Sequence, residues 1–166
     1  SAGLCLGGGA EVLMHCDAVQ AHSESYVGLV EVGVGIIPAW GGCKEYLGRI
    51  KEFGLVSNGP MGAVMKAFEV IGTAQVAKSA DQAQTMGFLG PNDRITMNRD
   101  RLLSDAKKTL IELSIDYSPP EPRTYSLPGP SGKVALELAV NDLALSGKVT
   151  PHDIVVTNAL AEILTG

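Results

Sequence analysis

Residues 7–42 read GGGAEVLMHCDAVQAHSESYVGLVEVGVGIIPAWGG, and they place two glutamates, Glu11 and Glu31, beside glycine-rich turns. The three glycines at 7–9 precede an apolar helical pattern. Such a turn presents unpaired amide N–H groups at a helix N-terminus, where the helix dipole favours negative charge. Enolate chemistry requires an anion-stabilising turn next to acid and base groups, so the stretch predicts a catalytic site.

The same stretch contains an ordered set of short motifs. They are Gly7-Gly8-Gly9-Ala10-Glu11, Cys16-Asp17, Gly28-Leu29-Val30-Glu31, and Gly35-Ile36-Ile37-Pro38 followed by Gly41-Gly42. This set resembles the active-site half of the enoyl-CoA hydratase/isomerase (crotonase) family. Together with NRDRLLSDAK (98–107) and LPGPSGK (127–133), it is most similar to the crotonase region of large bacterial 3-hydroxyacyl-CoA dehydrogenase/enoyl-CoA hydratase fusion proteins.

The resemblance implies an α/β fold, the crotonase-like ββα superhelix. Family members carry several strands and a first oxyanion-hole loop before the glycine turn, whereas six residues precede it here. We therefore expect a fragment that begins in mid-domain, is truncated in its N-terminal half and is predominantly helical. The expected division is a second half of the crotonase-like core at 1–117, a proline-rich linker at 118–130 and a helical hairpin extension at 131–166.

The resemblance also implies roles for four residues. Glu11 and Glu31 are the expected catalytic pair for syn addition of water to a 2-enoyl-CoA, and the Gly8 N–H is an expected oxyanion donor. The amide of Ala39 is expected to position the water, although hydratases usually have glycine there. Two neighbouring carboxylates can divide the base and acid roles, but the proton belongs to the pair at this stage.

Each glutamate also has a simpler explanation. Glu11 could stabilise a helix N-terminus as an acidic residue of the first turn. Glu31 could be a surface carboxylate on a loop, but apolar residues surround it in VGLVEVGVGII (27–37). Because an unpaired buried carboxylate is costly, this context favours a functional role for Glu31.

Several other side chains invite a functional interpretation. Consecutive His15-Cys16-Asp17 do not face one another on a helix or strand, which argues against a nucleophile triad, and Cys16 is predicted to lie in the core. Trp40 is predicted to pack in the core or to line an acyl pocket. His22 and His152 lack metal-ligand spacing, so we expect surface or capping roles and no metal site.

Glycines, prolines and polar caps divide the chain into short elements. The pattern predicts strands at 18–21 and 26–30, a turn at Asn58-Gly59-Pro60, and a helix at 99–114 whose apolar side carries Leu102, Leu103, Ala106, Leu110 and Leu113. The other predicted helices lie at 10–16, 42–53, 61–73, 79–87 and 131–146, with a last one from Thr150 to Leu164.

The composition is that of a globular protein of one domain, with 166 residues, 45% hydrophobic and 19% charged. A net charge of −5 with scattered Lys and Arg argues against nucleic-acid binding. No apolar run reaches the roughly 18 residues of a membrane span. Three cysteines without a C-x-x-C pattern suit a reducing cytosol, so a cytoplasmic protein is expected.

The expected function is the enoyl-CoA hydratase part of a fatty-acid β-oxidation enzyme, with an acyl-CoA thioester as substrate. We expect a homo-oligomer and no cofactor in this chain, with NAD involved only if a dehydrogenase domain accompanies it. By itself the chain is expected to be inactive. Two alternatives remain, namely an enoyl-CoA isomerase, which needs one acid at the Glu31 position, and an inactive chain that only assembles.

Overall fold

The computed structural model describes residues 1–56 and 59–166, so Asn58 of the predicted Asn58-Gly59-Pro60 turn lies outside the described residues. The strands are β1 Leu4–Leu6, β2 Gln20–His22, β3 Tyr26–Gly28 and β4 Arg94–Thr96. The α-helices are α1 Gly8–Met14, α2 Gly42–Glu52, α3 Pro60–Gly72, α4 Ala80–Met86, α5 Leu102–Leu113, α6 Pro130–Leu145 and α7 Pro151–Thr165. Short 3-10 helices cover Glu31–Val34 and Arg99–Arg101.

Two pairs of parallel strands organise the N-terminal part. β1 pairs with β3, with Leu4 opposite Tyr26, and β2 pairs with β4. The Gly7 N–H donates to the Gly28 carbonyl at 2.9 Å, directly beyond the β1–β3 pair. Parallel strands end at the same edge, so the segments that follow β1 and β3 leave side by side. These are the segments that carry the two glutamates.

The core lies between the strands and the helices α2, α3 and α7. Tyr46 of α2 stacks on Phe88 with ring centroids 4.7 Å apart, and both side chains are fully buried. Leu160 and Leu164 of α7 belong to the same buried cluster, and α7 packs against α3. The second helix of the hairpin therefore buries its apolar side on the helices that precede the linker.

Residues 118–129 contain no regular secondary structure. Side chains of this segment bind to α2. The Arg123 guanidinium pairs with Glu45 and Glu52, and the Tyr125 hydroxyl donates to the Lys44 carbonyl at 3.2 Å. Gly48 leaves room for this contact, because an added Cβ would lie 2.9 Å from the tyrosine oxygen. The domain boundaries at 117/118 and 130/131 stay a prediction.

The polar residues and glycines at the ends of α4 and α7 cap these helices, as the sequence predicts. The Ser79 hydroxyl accepts from the Gln82 N–H at 3.1 Å at the start of α4, and Gly87 ends the helix with φ 88°. Thr150 and Asp153 form a reciprocal capping box at the start of α7. Helix boundaries therefore follow local signals closely.

The predicted apolar side of α5 is not buried. Leu103 is 82% exposed and Leu110 is 67% exposed, whereas the polar Thr109 is buried. The Thr109 hydroxyl donates to Gln20 Oε1 at 3.1 Å, so α5 packs on β2 through polar contacts. The predicted helix is confirmed, but an amphipathic pattern identifies a face of a helix and not the element that the helix meets.

The core position predicted for Cys16 is wrong. α1 ends at Met14, and Cys16 follows as an exposed residue with its thiol 3.4 Å from the Val12 carbonyl. Among the described residues, no helix has the length and apolarity to cross a bilayer. Within the same ranges, no group of three or more His, Cys, Asp or Glu side chains is arranged to hold a metal ion.

Candidate active site

Glu11 lies in the first turn of α1 with its carboxylate held by backbone amides. The side chain is 4% exposed, and its Oε1 accepts from the N–H groups of Trp40 and Gly42 at 2.9 Å each. Gly42 is the first residue of α2, so the positive end of that helix faces the carboxylate. Oε1 is fixed by these two bonds, while Oε2 is the oxygen left for another partner.

The two glycines at the start of α2, Gly41 and Gly42, make this contact possible. Gly41 has φ 97°, which a side chain would disfavour. A Cβ added to Gly42 would lie 2.8 Å from Glu11 Oε1 and 2.9 Å from both Leu29 Cδ2 and Pro38 Cβ. Sequence reasoning identified these glycines as a helix start but missed their role. The reasoning used for glycines 7–9, amides at a helix N-terminus that bind an anion, could have found it.

Glu31 opens the 3-10 helix that follows β3. Its Oε1 lies close to Gly7, where an added Cβ would be 3.3 Å away, and its Oε2 is buried with no hydrogen-bond partner among residues 1–56 and 59–166. Burial raises the pKa of the Glu31 carboxyl. The negative charge of Glu11 raises the pKa further, and the backbone amides of Glu31 and Val30 oppose the shift. The site therefore favours the protonated form of Glu31.

The pKa of the Cys43 thiol is raised by the charges of both glutamates. Its buried thiol lies 3.4 Å from the Pro38 carbonyl. Burial, followed by the charges of Glu11 and Glu31, raises the thiol pKa to about 12. Both glutamates therefore act on one neighbourhood, and the thiol stays protonated near neutral pH, which makes it a poor nucleophile. That the two carboxyl groups share one water stays a prediction.

The predicted oxyanion donor, Gly8, and the predicted water-positioning residue, Ala39, are both exposed to solvent. Gly8 is the exposed first residue of α1, and a Cβ added there would meet nothing within 4 Å. Ala39 is exposed, as is Trp40 after it, whereas Pro38 before it is buried. In the described ranges, neither Gly8 nor Ala39 uses its N–H in a hydrogen bond. The roles of these two amides stay predictions.

Trp40 does not pack in the core, because its side chain is 78% exposed. What it gives the site is its main-chain N–H, which binds Glu11. A bulky residue is compatible with this role, since the contact is made by the backbone. The alternative, that the indole lines an acyl pocket, stays a prediction.

Histidine 152 connects α7 to the Glu31 segment. Its Nε2 lies 2.9 Å from the carbonyl oxygen of Gly35, and the nitrogen must donate because a carbonyl only accepts. Gly35 ends the 3-10 helix that Glu31 begins, in the left-handed conformation with φ 82°. The surface role expected for His152 is therefore a specific contact with the turn that carries the second glutamate.

We expect Glu31→Gln to stabilise the protein at mildly alkaline pH, with the gain vanishing in acid. The raised pKa of Glu31 means that the folded chain holds this proton more tightly than the unfolded chain, whose carboxyl titrates near 4.5. The free-energy cost of ionising Glu31 in the folded chain is absent below about pH 4.5 and complete above the folded pKa. Glutamine does not ionise, so the variant does not have this cost.

Urea unfolding at about pH 4 and about pH 8 measures this difference. Glu69→Gln, which removes an exposed carboxylate on α3, is the control. A stability gain for Glu31→Gln that is equal at both pH values would contradict the assigned environment of Glu31.

The comparisons with known proteins concern the fold and the sequence of the whole chain. No family model matches the chain. An enoyl-CoA hydratase from Mycobacterium avium superposes with a TM-score of 0.53 at 15% identity, covering 98% of this chain and 58% of that one. The chain therefore has the crotonase fold, as expected.

Curated relatives point the same way. A probable 3-hydroxyacyl-CoA dehydrogenase of Bacillus subtilis is 40% identical over 166 residues, which is 99% of this chain and 20% of that protein. A short-chain-enoyl-CoA hydratase of Clostridium acetobutylicum is 38% identical over 87 residues, 52% of this chain and 28% of that protein. The resemblance to the enoyl-CoA hydratase (crotonase) family is confirmed, since solved enoyl-CoA hydratases share the fold and the curated relatives include a short-chain-enoyl-CoA hydratase. It spans about a fifth of the Bacillus protein.

Proposed function

We propose that this chain carries the acid–base site of an enoyl-CoA hydratase that acts in fatty-acid β-oxidation. The observation that carries the proposal is the Glu11 carboxylate, held by the amides of Trp40 and Gly42, whose charge contributes to the raised pKa of the Glu31 carboxyl. One group is arranged as a base and its neighbour as an acid, which addition of water to a double bond requires.

The proposed reaction divides the work between the two glutamates. Oε2 of Glu11 takes a proton from water as the water oxygen bonds to the β-carbon of a 2-enoyl-CoA. The electron pair of the double bond moves towards the thioester oxygen, which the Gly8 N–H stabilises. Protonated Glu31 then gives its proton to the α-carbon. Proton exchange with solvent restores Glu31 as the acid and Glu11 as the base.

The isomerase is the second candidate. Moving a proton between two carbons needs one acid–base group at the Glu31 position, and such an enzyme has no use for a second carboxylate held by two amides. The bonds from Trp40 and Gly42 to Glu11 therefore favour the hydratase. A chain that only assembles would need neither glutamate.

Partners and setting follow from the proposed reaction. We propose an acyl-CoA thioester as substrate, a cytoplasmic location and no cofactor bound by this chain, with NAD used only by a dehydrogenase domain if the full-length protein has one. The exposed leucines of α5 support self-association, which light scattering would detect.

Crotonyl-CoA hydration by the full-length protein tests the proposal. We expect loss of enoyl-thioester absorbance with formation of 3-hydroxybutyryl-CoA, and no conversion of a 3-enoyl-CoA to its 2-enoyl isomer at a comparable rate. The 166-residue chain by itself is expected to show little or no hydration, because Gly8 is the one oxyanion donor assigned here and loss of one donor typically costs about 10²–10³ in rate. Isomerisation without hydration would favour the second candidate, and turnover of neither substrate would exclude both.

A further inference from the structure

His15 touches the main chain of the residue that we propose as the base. It follows directly after α1, and its ring Nδ1 lies 2.7 Å from the carbonyl oxygen of Glu11, one helical turn earlier. Because the carbonyl oxygen can only accept, Nδ1 must carry the hydrogen. The Nδ1–H therefore ties the imidazole ring to the main chain of Glu11 in one orientation.

The adjacent Cε1–Nε2 edge of the same ring packs against Gly41. A Cβ added to Gly41 would lie 2.9 Å from His15 Cε1 and 3.0 Å from Nε2, so the ring fills the space that a side chain would occupy. Gly41 stands between Trp40 and Gly42, whose amides hold the Glu11 carboxylate. The imidazole thus lies between the backbone of Glu11 and the turn that binds its side chain.

A buried carboxylate also lies near Nε2 of this partly exposed ring. Glu45 Oε1 in the first turn of α2 lies 3.7 Å from His15 Nε2, and Lys44 and Arg123 hold this carboxylate in place. Burial acts to raise the pKa of Glu45, but the hydrogen bonds from Lys44 and Arg123 outweigh it and lower the pKa. His15 therefore packs against a fixed anion rather than against a mobile surface group.

We propose that His15 is a positioning residue that sets the distance between Glu11 and the amides of Trp40 and Gly42. The carboxylate is bound by backbone, so its geometry depends on how the end of α1 packs against the start of α2, and the imidazole occupies this junction. Displacements of about 1 Å at a reacting group can cost about 10² in rate. The catalytic consequence rests on the proposed hydratase function, whereas the geometric role does not.

Amide chemical shifts test the geometric role without any turnover. An N–H that donates to a carboxylate has a strongly downfield proton resonance, so Trp40 and Gly42 report on their bonds to Glu11. In the ¹⁵N-labelled chain we expect His15→Ala to move both resonances upfield. His15→Asn keeps an N–H donor at the Nδ1 position and should restore most of the shift. His22→Ala is the matched control, since its ring contacts the Met97 carbonyl instead.

Hydration kinetics of the full-length variants test the consequence. We expect His15→Ala to lower kcat for crotonyl-CoA about tenfold with KM within about twofold, and His15→Asn to recover most of kcat. Unmoved Trp40 and Gly42 resonances in folded His15→Ala would overturn the proposal, as would failure of His15→Asn to restore them. Absence of hydration by the wild-type protein would remove the proposed function and leave the chemical-shift result to decide the role of His15.

Discussion

Replacing Glu11 by glutamine is expected to lower kcat for crotonyl-CoA hydration by at least about 100-fold, since general acid–base groups contribute about 10²–10⁴. The amide side chain keeps the shape of the glutamate, and its oxygen can still accept from Trp40 and Gly42. What it loses is the ability to take a proton from water. The variant should therefore fold normally and bind substrate with little change.

The matched control is Glu69→Gln on α3, which removes one exposed carboxylate that pairs with Lys66. We expect it to hydrate crotonyl-CoA at the wild-type rate, so a loss in Glu11→Gln cannot be ascribed to the change in net charge. Steady-state kinetics of both variants in the full-length protein give the comparison. A Glu11→Gln enzyme that retains a tenth or more of wild-type kcat would remove Glu11 from the role of base.

Gly42→Ala is expected to reduce hydration by about 100-fold through geometry alone. The added methyl group would lie 2.8 Å from Glu11 Oε1, closer than any ordinary contact, and 2.9 Å from two further side chains. Either the carboxylate leaves its amide donors or the start of α2 moves. Overpacking of this kind typically costs about 1–3 kcal/mol of stability, so the unfolding midpoint should fall as well.

Gly72→Ala provides the matched control for this substitution. Gly72 is the last residue of α3, and a Cβ added there would lie 3.8 Å from Leu160 Cδ2, an ordinary van der Waals distance. Both changes add one methyl group to a helical glycine, but only Gly42→Ala meets the carboxylate. Denaturant unfolding and hydration kinetics of the two variants separate the effects. Equal behaviour of the two would mean that the space at Gly42 does not position Glu11.

Local chemistry made much of the fold predictable from the sequence. The structure places the glycine-led helix of Glu11, the capping box of Thr150 with Asp153, and the glycine end of α4 where those residues indicate. Each of these signals acts within a few residues of the element that it starts or ends. The crotonase fold itself came from the ordered motifs of residues 7–42, and not from any one element.

Contacts between distant residues could not be predicted in the same way. Glu11 meets the amides of Trp40 and Gly42 across 29 and 31 residues, and Arg123 meets Glu45 across 78. A periodic pattern reports which side of an element is apolar, but it carries no information about which element comes to lie there. The exposed leucines of α5 show the same limit, since their helix meets β2 through Thr109.

The contact between His152 and Gly35 forms late during synthesis of the chain on the ribosome. The two residues are 117 positions apart, so at about 5–20 residues per second His152 is added about 6–23 s after Gly35. Residues 7–42, which hold Glu11 and its amide donors, are all made before then. The Glu31 turn can make its contact with His152 only after α7 has left the exit tunnel and packed on α3. The proposed base, its amide donors and the proposed acid are thus all synthesised before the residue that contacts the turn of the acid.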